Sequence, residues 1–260
     1  MSIVHRITER AGDVAGSIVA PAFQLVSKLR KSKTFHPRGD VFSVEVDVHP
    51  EAEGSNRELG ERLEGKGAIR FSDALTQGKA RWPDVLGAAL KLGPGKGGAM
   101  QHLLFATIKR PWTMPLSPFT THVRDYLEND YYAVSPFAME NGRTVYVRLK
   151  SEHKKAKHAI DAIDAAEARR AKLEADCAEG NAKLALEVAP GPRGPFRPVA
   201  RIRITRLLEK DALLPSFDPF VCERGLTPIG FIHAMRKAVY SASREGREST
   251  REELPELASA

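Results

Sequence analysis

The feature that most limits what this chain can fold into is the strict alternation of apolar and polar residues in segment after segment. In Val41–His49, Phe42, Val44, Val46 and Val48 point one way while Ser43, Glu45, Asp47 and His49 point the other. Thr144–Lys150 repeats the pattern with Val145, Val147 and Leu149, and Lys183–Val188 with Leu184, Leu186 and Val188. Ala200–Arg206 sets Ala200, Ile202 and Ile204 against Arg201, Arg203 and Thr205. A period of two is the signature of strands with one buried face. Gln101–Ile108 is more uniformly apolar, as in a strand covered on both sides, and Gly67–Ser72 is a shorter candidate.

Helical spacing occurs twice. Ala156, Ile160, Ile163, Ala166, Leu173 and Cys177 recur along 154–178, ahead of Gly180 and Asn181, a natural stop. A second helix is predicted after Pro228, with Ile229, Ile232, Met235 and Val239 on one face and His233, Arg236 and Tyr240 in its last turns. Many strands, one inserted helix and one terminal helix predict an α+β architecture: an antiparallel barrel with helices outside it. The 260 residues are read as a single domain, with an amphipathic arm at 1–30 and a polar tail at 248–260.

Composition narrows the function classes. At 42% hydrophobic and 28% charged residues, neither a disordered chain nor a membrane bundle is expected. The net charge of +7 suggests an anionic partner. That charge is spread along the chain, and its densest run, 150–170, mixes both signs like a solvated helix, so nucleic acid is not the expected partner. Two cysteines, Cys177 and Cys222, form neither a disulfide framework nor a zinc motif, which fits a reducing cytoplasm. The apolar stretch Ser17–Val26 is broken by Pro21 and is too short to span a bilayer. It is read as an arm packed on the domain, with transient lipid contact as the alternative. Self-association is left open.

Three segments carry candidate chemistry. The first is Lys33–Gly39, which runs straight into the first strand. The second is Arg70-Phe71-Ser72. The third pairs Arg236 with Tyr240, four residues apart and hence on one helix face. A phenol ionises near pH 10, so a phenolate at neutral pH needs a nearby cation or a metal. In this order, over residues from about Lys33 to Arg247, the segments resemble the catalase superfamily. His36-Pro37-Arg38-Gly39 is similar to the motif that opens the family's barrel, and Arg70-Phe71-Ser72 and Arg236-x-x-x-Tyr240 are similar to two others. Asp84–Leu92 resembles a further segment without its usual aromatics.

The resemblance implies a catalase-type barrel whose terminal helix holds haem b. Tyr240 would be the axial iron ligand, with Arg236 stabilising its phenolate. His36 would move a proton between the two peroxide oxygens, oriented by Ser72. Lys33, Arg70 and Arg247 would bind the propionates, and Phe119 would lie against the cofactor. Thr107 follows Gln101–Ala106 where the family carries a distal asparagine, so peroxidase turnover of a small peroxide with an unidentified reductant is expected to exceed catalase turnover. A fatty-acid hydroperoxide isomerase similar to allene oxide synthase, a non-catalytic haem-binding protein, and a haem-free nucleic-acid-binding barrel are the alternatives.

Overall fold

A computed structural model describes residues 39–74, 83–94, 98–110, 113–133, 135–152, 164–208, 218 and 220–230. The chain divides into two compact units, Met1–Pro37 and Arg38–Ala260. The first unit lies wholly outside the described residues. So do His36 and Lys33, the start of the predicted inserted helix, and the predicted terminal helix with Arg236 and Tyr240, together with Arg247.

Within the second unit the alternating segments become strands. β1 is Gly39–Val48, β2 Gly65–Asp73, β3 Leu86–Leu92, β4 Gln101–Ala106 and β5 Tyr131–Ala133. β6 is Phe137–Met139, β7 Thr144–Ser151, β8 Lys183–Ala189, β9 Arg197–Leu207 and β10 Leu226–Pro228. Neighbours pair in the order β7, β5, β4, β3, β2, β1, β9, β8, and β8 returns to β7. The result is a closed, eight-stranded antiparallel barrel, an α+β fold once its helices are added. Closure removes the unpaired strand edges an open sheet would expose. β6 and β10 extend β7 as a small outgrowth.

The interior is filled from the face that the alternation selects. Phe42, Val44, Ile69, Phe71, Leu90, Leu103, Val147, Leu149, Leu186 and Ile202 are buried and share one core. Burying each such side chain contributes roughly 1.5–3 kcal/mol. Among the described residues three helices lie outside the sheet pairing: α1 Gly54–Leu63, α2 Ser117–Thr120 and α3 Ala165–Ala178. Among the described residues no helix is long and apolar enough to cross a membrane.

α1 has only Leu59 and Leu63 to bury, too weak a stripe to stand out by periodicity. It is stable because it docks closely: a Cβ on Gly60 would come within 2.5 Å of the Val199 carbonyl oxygen and 3.3 Å of Val48 Cγ1. α3 starts at Asp164, whose side chain accepts the Glu167 N–H at 2.8 Å, and it stops at Gly180 with φ +70°.

Two expectations from the alternation are corrected. Val48 is only half-buried and His49, expected outside, is buried. The reason is an ion-paired cluster. Glu51 N–H donates to His49 Nδ1 at 3.1 Å, so Nε2 carries the proton and faces Glu152 Oε1 at 2.9 Å. Glu152 also accepts from Arg201 Nε at 2.6 Å and Nη2 at 3.1 Å. With both ring nitrogens engaged, His49 has no lone pair for base or metal chemistry. Likewise, the run 150–170 is not simply a solvated face, because Arg169 is only 2% exposed.

Burial would raise the Glu152 pKa, but the Arg201 and His49 hydrogen bonds outweigh it and hold the carboxyl below its ordinary value. A depressed folded-state pKa adds stability that is complete above the unfolded-state value and is lost as pH falls through the folded one. Below about pH 4.5, the unfolding free energy should therefore fall more steeply in the wild type than in Glu152→Gln. Parallel acid-titration curves for the two proteins would show that this carboxylate is not linked to folding.

Candidate active site

Strand register decides which of the candidate residues share a surface. Gly39 pairs with Ser72, Ser72 with Gly87, and Gly87 with Ala106. Two residues along, Val41 pairs with Arg70, Arg70 with Ala89, and Ala89 with Leu104. Directly paired residues point to the same face, and these two rows alternate with Phe42, Ile69, Phe71, Leu90 and Phe105, which point inward. On the outer face of β1–β4 these two rows (the platform) thus carry Gly39, Ser72, Gly87, Ala89 and Ala106 as small residues, with Val41, Leu104 and the Arg70 guanidinium among them.

No side chain fits at Gly39. A Cβ there would lie 2.5 Å from the Phe71 carbonyl oxygen and 2.9 Å from Arg70 Nε, so Arg70 folds across the bare backbone of Gly39. Burial lowers the Arg70 pKa and Tyr126 opposes that shift, but a guanidinium remains charged at any physiological pH. Ser72 is buried on the same face.

Directly beneath this surface, on the inner face, lies a polar cluster that the sequence reading missed. Tyr126 donates to Asp40 Oδ2 at 3.1 Å. Its ring stacks on Phe71 with centroids 4.6 Å apart and planes at 21°. Arg169 reaches in from α3, with Nη2 2.8 Å from Asp73 Oδ2, Nη1 2.6 Å from the Val123 carbonyl, and Cζ 5.2 Å from the Tyr126 ring centroid. Asp40 follows Gly39 and Asp73 follows Ser72 in the chain, so both carboxylates are anchored to platform strands. A signal was available: Ala165, Arg169 and Leu173 recur every four residues, placing a charge in the middle of an apolar stripe.

Of the predicted site residues, Arg70 and Ser72 are brought to one face, two strands' width from Ala106. Thr107 does not join them. It follows Ala106 and continues the alternation to the opposite side, opposite Leu86. Its hydroxyl accepts from Leu86 N–H at 3.1 Å and lies 2.8 Å from Thr121 Oγ1. Thr121 in turn donates to the Ser117 carbonyl at 2.8 Å, which leaves Thr107 to spend its one proton on Thr121. Thr107 therefore fastens α2 to the end of β4 rather than offering a donor beside Ser72. Phe119 and Leu116, on and beside α2, are 73% and 64% exposed.

Among the described residues no group of three or more His, Cys, Asp or Glu could hold a metal ion. The one metal ligand implied by the resemblance, Tyr240, lies outside them. The chemistry of the platform rows fits a haem: they are mostly small and apolar, Gly39 carries no Cβ, and Arg70 supplies the positive charge that a carboxylate would face.

No protein-family model and no curated protein matches the sequence. Solved structures do match. A fungal catalase aligns with a TM-score of 0.54 at 12% identity, over 80% of this chain and 58% of that protein. A bacterial catalase aligns with a TM-score of 0.49 at 16% identity, over 78% and 56%. The chain thus spans under three fifths of the length of either. At such identity the likeness to the fungal enzyme shows the fold, and the fold is of the catalase type.

Proposed function

We propose that this chain is a haem-dependent oxidoreductase acting on hydrogen peroxide or organic hydroperoxides as a peroxidase in the cytoplasm. The observation that carries the proposal is the pair of mostly small, apolar rows on the outer face of β1–β4, with Arg70 lying across Gly39, on a catalase-type barrel. Arg236 and Tyr240 support it from the sequence.

When bound, the haem supplies the iron centre at which a peroxide O–O bond is cleaved. Tyr240 would hold the iron through its phenolate, and Arg236, four residues before it in the sequence, would keep that phenol ionised. Lys33, Arg70 and Arg247 would neutralise the propionates. His36 would take a proton from one peroxide oxygen and return it to the other, a role suited to an imidazole that titrates near neutrality. Ser72 would orient that ring, and the exposed Phe119 would cover an edge of the macrocycle. The two platform rows contain no asparagine or glutamine. A site with few donors holds a second peroxide poorly, whereas an external reductant needs no such grip, which favours peroxidase over catalase turnover.

The cytoplasmic assignment rests on Cys177 and Cys222, whose thiol pKa values burial pushes up to about 12 and about 11. Such thiols stay protonated and unreactive in a reducing compartment.

Titrating the full chain with haemin is the direct test. A saturable one-to-one Soret band is expected, followed by oxidation of a dye by hydrogen peroxide faster than oxygen release. No Soret change at excess haemin would overturn the haem assignment. Oxygen release exceeding dye oxidation, or conversion of a lipid hydroperoxide without any reductant, would overturn the peroxidase assignment.

A further inference from the structure

Tyr126 is a phenol for which the proposed peroxide chemistry has no use, yet its surroundings are those of a redox group. It is 2% exposed, so water cannot quench a radical formed there. Its hydroxyl is already hydrogen-bonded to a carboxylate, Asp40 Oδ2, at 3.1 Å. Its ring stacks at 4.6 Å on Phe71, the residue between Arg70 and Ser72 in β2. Those two neighbours face the platform while Phe71 faces inward, so the stack reaches the underside of the strand that carries the site. Burial and the Asp40 charge both hold the phenol protonated at rest.

The other described tyrosines lack one of these elements. Tyr131, 5.7 Å from Phe71, donates to the Tyr126 carbonyl at 2.8 Å, and a peptide oxygen is not a base that can keep a proton. Tyr132 donates to Asp130 at 3.3 Å and pairs with Ala106, but it is only half-buried and its ring packs edge-on to Phe196 instead of stacking on Phe71. Tyr146 is half-buried on the outer face of β7.

We propose that Tyr126 is a site of reversible one-electron oxidation, with Asp40 as its proton acceptor. An oxidised phenol is a far stronger acid than a neutral one, so electron and proton leave together. Tyr126 gives one electron to a one-electron oxidant of the class that a peroxide-treated haem provides. Its O–H bond breaks, the proton forms a new O–H bond on Asp40, and a neutral tyrosyl radical remains beside a neutral carboxylic acid. An external one-electron donor then reduces the radical and Asp40 returns the proton. The source of the oxidant rests on the haem proposal above; the oxidisability of Tyr126 does not.

Two arms separate the two ideas. In the first, the haem-loaded full chain is mixed with hydrogen peroxide, frozen rapidly and examined by electron paramagnetic resonance. A tyrosyl signal is expected in the wild type and in Tyr131→Phe, and is expected to be lost in Tyr126→Phe. Asp40→Asn, which keeps an acceptor but removes the base, should lose it as well. In the second, the haem-free chain is photo-oxidised with a ruthenium tris-bipyridine flash and persulfate. The long-lived tyrosyl absorption is expected to vanish in the same two variants, while short-lived signals from exposed tyrosines persist. If the wild type takes up no haem, the haem proposal fails and the second arm alone decides. An unchanged signal in Tyr126→Phe overturns the inference in either arm. Should that variant not fold by circular dichroism, an unchanged signal in the near-isosteric Asp40→Asn overturns it equally.

Discussion

Replacing Arg169 by leucine is expected to cost about 3–5 kcal/mol of unfolding free energy, the penalty typical of removing one partner from a buried ion pair. Arg169 is tied to Asp73 at 2.8 Å and to the Val123 carbonyl at 2.6 Å. Leucine would leave the Asp73 carboxylate, only 4% exposed, facing an apolar side chain, and would strip the carbonyl of its donor. The double variant Arg169→Leu with Asp73→Leu removes both charges together and should recover much of the loss, because the desolvation cost disappears with the attraction. Urea unfolding of the wild type, both single variants and the double variant closes the cycle. If the double variant is as unstable as the sum of the singles, the pair does not act as a unit.

The largest functional effect is expected from Tyr240→Phe. Phenylalanine keeps the ring but has no oxygen to bind iron. Removing an outer-shell partner of a metal site usually costs about 10–100-fold in affinity, so losing the ligand itself should cost on the order of 100-fold or more. Arg236→Gln removes only the neighbouring cation and should fall within the outer-shell range. Haemin titration followed in the Soret region measures both. The order of losses matters as much as their size: Tyr240→Phe must bind more weakly than Arg236→Gln. Superimposable titrations for the wild type and Tyr240→Phe would remove Tyr240 from the iron.

The barrel was legible because its strands announce themselves locally. Phe42, Val44 and Val46, or Ala200, Ile202 and Ile204, need only their own spacing to declare a buried face, and the structure buries all six. Gly180 likewise marks the end of α3 by its own backbone freedom. α1 gave no such signal, since two leucines in a polar segment become a helix only when Gly60 allows it to dock against β9. β3 was seen only as a segment similar to a known motif, because the outer face of Leu86–Leu92 carries Gly87 and Ala89 and only one polar residue, Lys91, so no polar alternation betrays the strand.

The site was legible in part and for a different reason. Arg70 and Ser72 are two apart on one strand, so a shared face follows from the period of two alone. Whether Ala106 or Thr107 stands across from them depends on the register of β3 and β4, and a shift of one residue exchanges the faces. That register put Ala106 on the platform and Thr107 on the hydroxyl chain to α2. The same holds for the buried charges. His49 finds Glu152 across 103 residues of chain and Arg169 finds Asp73 across 96. Amphipathic periodicity is written in neighbouring residues, so the sequence by itself determined the strands and their inward faces. Partnership between distant side chains exists only after the barrel closes, so the tertiary structure alone decided which polar groups could be buried and which residues meet at the platform.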